Sequence, residues 1–248
     1  VVVCVVAFEM FPINCASVER TSIGFVAGCP LFKHARLSKT TRSTVRMDSA
    51  INGGDSLFLA IRYIRAGAQD LRAKTRPEHL DWIIASKRAL FAGPMFDKAS
   101  EPVGSLVIAH AKDMKDVEEW NAQDPYTSVG LFEKQAFREW KMVYRPESPL
   151  VDPIYVIICS DKEDAKELRA EVRPKHLEWW KNSGRNGFIG PFPAADGSGA
   201  VGSMIITEGK SEDEVREWSK SDPYNAAGVF GSVEIYPMST VLFNGQLV

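Results

Sequence analysis

Apolar and polar positions along the chain fall into one pattern that occurs twice. LFLAIRYI (57–64) and IYVIICS (154–160) are apolar, β-branched and aromatic runs, which predicts a first strand in each half. A helix follows each. Pro77 and Pro174 suit a first helical turn, where the missing proline N–H is not needed. His79, Trp82, Ile83 and Ser86, matched by His176, Trp179, Trp180 and Ser183, then lie at helical spacing. Second strands are predicted around Leu90–Gly93 and Phe188–Gly190, each ended by Gly-Pro. Third strands are GSLVIAHA (104–111) and GSMIITEG (202–209). DMKDVEEW (113–120) and SEDEVREW (211–218) read as amphipathic second helices with acidic residues early, where the helix dipole favours them. Fourth strands span 132–144 and 229–243. The order βαββαβ predicts an α+β fold of the ferredoxin-like kind, an antiparallel sheet with both helices on one face.

The recurrence is a true internal repeat. RPEHLDW (76–82) returns as RPKHLEW (173–179), and ten of the 19 positions from 76 to 94 are identical to their counterparts 97 residues on. After a one-residue insertion, twelve of the 29 positions from 104 to 132 are identical at an offset of 98, including Gly104-Ser105, Trp120, Asp124-Pro125-Tyr126 and Gly130. Such density at fixed offset marks a tandem duplication. The first copy is placed at 55–144 and the second at 154–243. RPESPLVDP (145–153) is an extended, stiff linker with three prolines. A unit this small buries only about 60–65% of its unfolded surface, so packing of the copies face to face is expected.

Charge and cysteine usage separate a leader from this body. The 248 residues carry 30 Lys+Arg and 32 Asp+Glu, net −2, which excludes the strongly basic surface of a nucleic-acid binder. Residues 1–47 hold six basic residues against Glu9 and Glu19, which leaves the rest at −6. From Thr21 to Met47 there is no acidic residue, and LSKTTRSTVRM (37–47) is basic and hydroxylated. Residues 1–50 are therefore expected to be an organellar targeting segment, for plastid or mitochondrion, or else a disordered basic arm. The longest apolar run, Val1–Phe8, is too short to span a bilayer. Cys4, Cys15 and Cys29 lie in the leader and only Cys159 in the body, so neither a disulfide framework nor a zinc site is expected. Neither GxSxG nor a Walker loop occurs, and the one GxGxxG match, GSGAVG (197–202), leads into a predicted strand rather than a helix, which argues against nucleotide cofactors and a serine hydrolase.

Taken in order, Arg-Pro-x-His-Leu, Gly-Pro, Gly-Ser before a strand, Trp-x-x-x-Asp-Pro-Tyr and a Gly-hydrophobe pair, each present twice, resemble the YCII-related (YciI-like) family. The resemblance implies ferredoxin-like units that usually dimerise through their sheets. Here that implies a fused pseudo-dimer forming an intrachain barrel. It also points to a His/Asp pair, His79 with Asp124 and His176 with Asp222. Some relatives are lyase-type enzymes of small aromatic compounds, such as a dehydrochlorinase of chlorinated hydroquinones.

A histidine can take and return a proton near neutral pH, and a neighbouring carboxylate fixes its tautomer. Each pair can equally be structural: the imidazole in a helix-surface or interdomain hydrogen bond, the aspartate capping an Asp-Pro turn. Arg76 and Arg173, one helical turn before each histidine, could hold a ligand carboxylate or phenolate, or pair with the acidic second helix. Tyr126 and Tyr224 could donate into a pocket or pack in the core. Ser105 and Ser203 open strands after Gly, where backbone can approach a ligand or simply turn. The tryptophans read as core or interdomain packing. His110 is replaced by Glu208 in the second copy and belongs to no repeated site. A haem ligated by histidine is not separable on these residues from acid–base work. The expectation is a cofactor-free small-molecule enzyme with no metal. The alternative is a non-catalytic ligand binder or an accessory subunit docked on a larger organellar assembly.

Overall fold

The computed structural model describes residues 56–248. The targeting segment expected over 1–50 lies outside the described residues. The first copy runs β1 (Ser56–Ile64), α1 (Gln69–Ser86), β2 (Ala89–Phe96), β3 (Pro102–Ala111), α2 (Met114–Ala122), α3 (Pro125–Ser128) and β4 (Phe132–Trp140). The second repeats it as β5 (Ile154–Asp161), α4 (Lys166–Ser183), β6 (Gly187–Pro193), β7 (Ala200–Glu208), α5 (Glu212–Lys220), α6 (Pro223–Ala226) and β8 (Phe230–Met238), followed by a short hairpin, β9 (Leu242–Phe243) and β10 (Gln246–Leu247).

Each copy forms an antiparallel sheet with the ferredoxin-like order, β4-β1-β3-β2 and β8-β5-β7-β6. The two sheets join where Met95 of β2 faces Met238 of β8. On the other side, chain beyond β4 pairs with β6. Lys141 N–H donates to Pro191 O at 3.1 Å, Val143 N–H to Ile189 O at 2.8 Å, and Tyr144 and Ile189 form a bridge. The equivalent stretch beyond β8 runs along β2, with Val241 N–H donating to Ala92 O at 2.9 Å. Both edges are thereby paired and the strands close into a two-copy α+β barrel.

The barrel interior is one apolar cluster drawn from both copies, including Leu59, Phe91, Leu106, Ile108 and Trp140 with Ile154, Val156, Phe188, Phe192 and Ile206. Phe91 meets Phe188 edge-on at 5.2 Å between ring centres. The alternate residues of each strand pack outward under helices, Phe58, Ala60 and Val107 beneath α1 and α2, and Tyr155, Ile157 and Ile205 beneath α4 and α5. Strands buried on both faces explain the near-continuous apolar runs of β1 and β5.

Three expectations are corrected. The first helices begin eight residues before Pro77 and Pro174, which lie inside α1 and α4. Their inward stripes read Thr75, His79, Ile83 and Arg169, Val172, His176, Trp180, so two residues of three in the first and two of four in the second are polar, and the helical period is masked. The Gly-Pro pairs do not end the second strands but lie within β2 and β6, on the seam between copies. The fourth strands are shorter than expected, closing at Trp140 and Met238.

Candidate functional site

Each copy brings α1 or α4 against the short helix α3 or α6, and this contact makes the site. Asp124 and Asp222 cap those short helices, each Oδ1 accepting the N–H two residues on at 2.9 Å, with proline at the first helical position. The same Oδ1 lies 2.8 Å from His79 Nδ1 in the first copy and from His176 Nδ1 in the second. Capping and histidine contact are made by one oxygen. Both aspartates and both histidines are buried, with Asp124 fully enclosed. Tyr126 and Tyr224 stack on the imidazoles, ring centres 4.1 Å apart in each copy.

Charge fixes the tautomer in the first copy. Burial would raise the Asp124 carboxyl, but the His79 hydrogen bond and the Arg62 guanidinium more than offset it and hold it below the usual carboxylate range. Burial pushes His79 below its ordinary value against the pull of Asp124, so the imidazole is neutral at pH 7. A neutral ring facing a carboxylate through Nδ1 donates that N–H and carries its lone pair on Nε2. Neither Nε2 has a hydrogen-bond partner among the described residues, and both histidines line cavities.

The buried arginine beside each site differs between copies. In the first, Arg62 rises from β1 beneath Asp124, its guanidinium 2.5 Å from Oδ2, with Nε donating to Ser105 Oγ at 3.1 Å. In the second, Cys159 takes that strand position and the cation comes from α4. Arg169 bonds both oxygens of Asp161 at 2.7 and 2.9 Å, donates to Ser203 Oγ at 2.6 Å and lies over the Tyr224 ring. Ser105 and Ser203 thus hold arginines. Burial pushes the Cys159 thiol up, so it is no ready nucleophile. Arg76 and Arg173 are exposed, line the cavities and make no ion pair with the second helices. Burial also raises the Tyr126 and Tyr224 phenols, keeping them protonated donors, and both tyrosines line the cavities from their buried positions.

Of the tryptophans, Trp120 stacks on Trp82 and Trp218 on Trp179, Trp140 Nε1 donates to Gly190 O across the copies at 2.9 Å, and Trp180 lines the second cavity. Among the described residues no cluster of His, Cys, Asp and Glu is placed to hold a metal ion, and no helix is long and apolar enough to cross a membrane. Arg62 and Arg169 were missed in the sequence. A charged residue inside the apolar run LFLAIRYI was the available signal for the first, and the repeated Leu-Arg-Ala at 71–73 and 168–170 for the second.

With this geometry in place, comparison with known proteins is decisive for family. The model of the YCII-related domain matches residues 56–141 and again 154–239. The chain belongs to the YCII-related family. Protein YciI of Escherichia coli is 38% identical over 96 residues, covering 36% of this chain and 98% of that protein. The bacterial relative is thus the length of one copy, and this chain carries a tandem duplication of it. Among solved structures, the 5-chloro-2-hydroxyhydroquinone dehydrochlorinase of Burkholderia phenoliruptrix, in complex with 2,5-dihydroxybenzoquinone, is 26% identical, with TM-score 0.32, over 34% of this chain and 93% of its own. A chlorite dismutase from Candidatus Nitrospira defluvii spans both copies, covering 75% of this chain and 92% of its own at TM-score 0.52 and 11% identity. That likeness shows the fold alone.

Proposed function

We propose that this YCII-related protein is a small-molecule enzyme working by cofactor-free acid–base chemistry, of the lyase or isomerase kind, with histidine as the proton carrier. The observation that carries the reading is the buried His–Asp pair at 2.8 Å in each copy, with Nε2 left unpaired at a cavity. Nε2 accepts a proton from a C–H or O–H of the bound substrate. Asp124 or Asp222 stabilises the imidazolium so formed, and Nε2 then returns the proton to a neighbouring atom or a leaving group. General acid–base catalysis of this sort contributes about 10²–10⁴-fold. The tyrosine against the imidazole fixes its plane, and Arg76 or Arg173 receives the negative charge of the substrate. A purely accessory role calls for filled sites, whereas the second copy holds a cavity of about 340 Å³.

The test follows deuterium washout by proton NMR over a panel of enolisable keto acids, hydroxy acids and hydroquinones in D2O. The wild-type chain is expected to accelerate exchange of at least one member. The H79N/H176N double variant, shown folded by circular dichroism, is expected to lose about 10²-fold or more. Equal exchange by wild type and double variant refutes the reading.

A further inference from the structure

The two sites share their histidine, aspartate and tyrosine but not their space. The cavity at His79 measures about 40 Å³, and that at His176 about 340 Å³. Named differences account for this. In the first copy the Arg62 side chain, only 1% exposed, occupies the strand position that holds Cys159 in the second. Gln69 Nε2 donates to Pro102 O at 2.9 Å, tying the start of α1 to the start of β3. In the second copy Lys166 and Ala200 stand at those two positions, and both line the cavity. The first cavity has room for a few waters. One of them would satisfy Arg62 Nη2, which is buried without a partner.

The charge of the larger cavity is one-sided. Lys141, Lys166, Arg169 and Arg173 line it, and no aspartate or glutamate does. Arg169 is matched by Asp161, His176 by Asp222, and Lys166 lies within electrostatic reach of exposed Asp196. Lys141 and Arg173 have no ion-pair partner among the described residues. Trp180, Leu177, Ile189 and Pro191 give it apolar walls. Lys141 comes from the first copy's chain beyond β4, so the site is complete only in the fused pair.

We propose that the cavity of the second copy is the ligand site of this chain and takes a small organic anion, a carboxylate, phenolate or enolate on an apolar body of about one ring, while the first copy's pocket takes water. The proposal rests on the acid–base reading for what His176 does to that ligand, and narrows that chemistry to the second copy, but does not rest on it for the binding itself.

Titration calorimetry of the full chain with benzoate and 4-hydroxybenzoate, against their neutral amides, tests it. One site per chain is expected for the acids, with quenching of Trp180 fluorescence that is absent in W180F. Affinity should fall about tenfold or more in R173E and in K166E, both exposed positions, and for the amides. Two equal sites per chain, no binding of either acid in the millimolar range, amides bound as tightly as acids, or binding lost in R76E but kept in R173E would each overturn it. The two readings fail separately. Single-site anion binding with proton exchange unchanged in H79N/H176N removes the acid–base reading and leaves this one. Two equal anion sites with exchange abolished by the double histidine substitution does the reverse.

Discussion

A buried imidazole held by a buried carboxylate makes stability depend on pH. Burial lowers His79 from its ordinary value of 6.5, so below that value the unfolded chain binds a proton that the folded chain refuses. Its contribution is complete above 6.5 and is lost as pH falls through the lower folded value. Asp124 acts in the same direction in a more acidic window. Burial opposes ionisation, but His79 and Arg62 keep it ionised below 3.8, so its contribution holds above that value and goes as pH falls further. Urea unfolding at about pH 7.5 and about pH 5.5 should show a lower midpoint at the acid value, and H79Q should narrow the gap. An equal drop in H79Q would show that other groups control it. At this scale the repeat made the histidines, aspartates and tyrosines legible, because each appears twice in register. Arg62 was illegible by the same logic. It has no twin, since Cys159 takes its strand position in the second copy, where Arg169 of helix α4 pairs with Asp161 instead.

Between elements, the Gly-Pro pairs mark where one copy's backbone lies against the other's. A Cβ built on Gly93 would come within 1.9 Å of Ser239 O, and one on Gly190 within 2.0 Å of Lys141 O. Both contacts are to backbone that is hydrogen-bonded across the seam, so it cannot give way. Replacing Gly190 by Ala should therefore cost at least about 1–3 kcal/mol, the range for overpacking, read from chemical unfolding. A change within about 0.5 kcal/mol would mean that the seam is slack. The sequence predicted the order of strands and helices from alternation and spacing. It misplaced the Gly-Pro pairs because glycine and proline usually punctuate strands, and their use here depends on a partner strand about 50 residues distant or more. The early starts of α1 and α4 were hidden for a different reason. The residues they turn inward serve a polar site, so no apolar stripe announces them.

For the whole molecule, the duplication converts what single-copy relatives would need a second chain to build into one polypeptide. The interior cluster takes Leu59, Leu106 and Ile108 from one copy and Val156, Met204 and Ile206 from the other, all buried. Loss of either copy would expose the inner face of the remaining sheet, an apolar patch far larger than a soluble monomer normally carries. Two strand seams and the Trp140 to Gly190 hydrogen bond join the copies further. The copies should thus unfold together in one transition, with calorimetric and van't Hoff enthalpies in agreement. Fluorescence of Trp180, under the second sheet, should report the same midpoint as circular dichroism of the whole chain. Two separated transitions would show that each copy is stable alone and that the shared interior adds little. A second-copy fragment, residues 154–248, offers the converse test. It should appear as a dimer or an aggregate in sedimentation, with its sheet covered by another fragment in place of the lost copy, and a well-folded monomer would contradict the shared core.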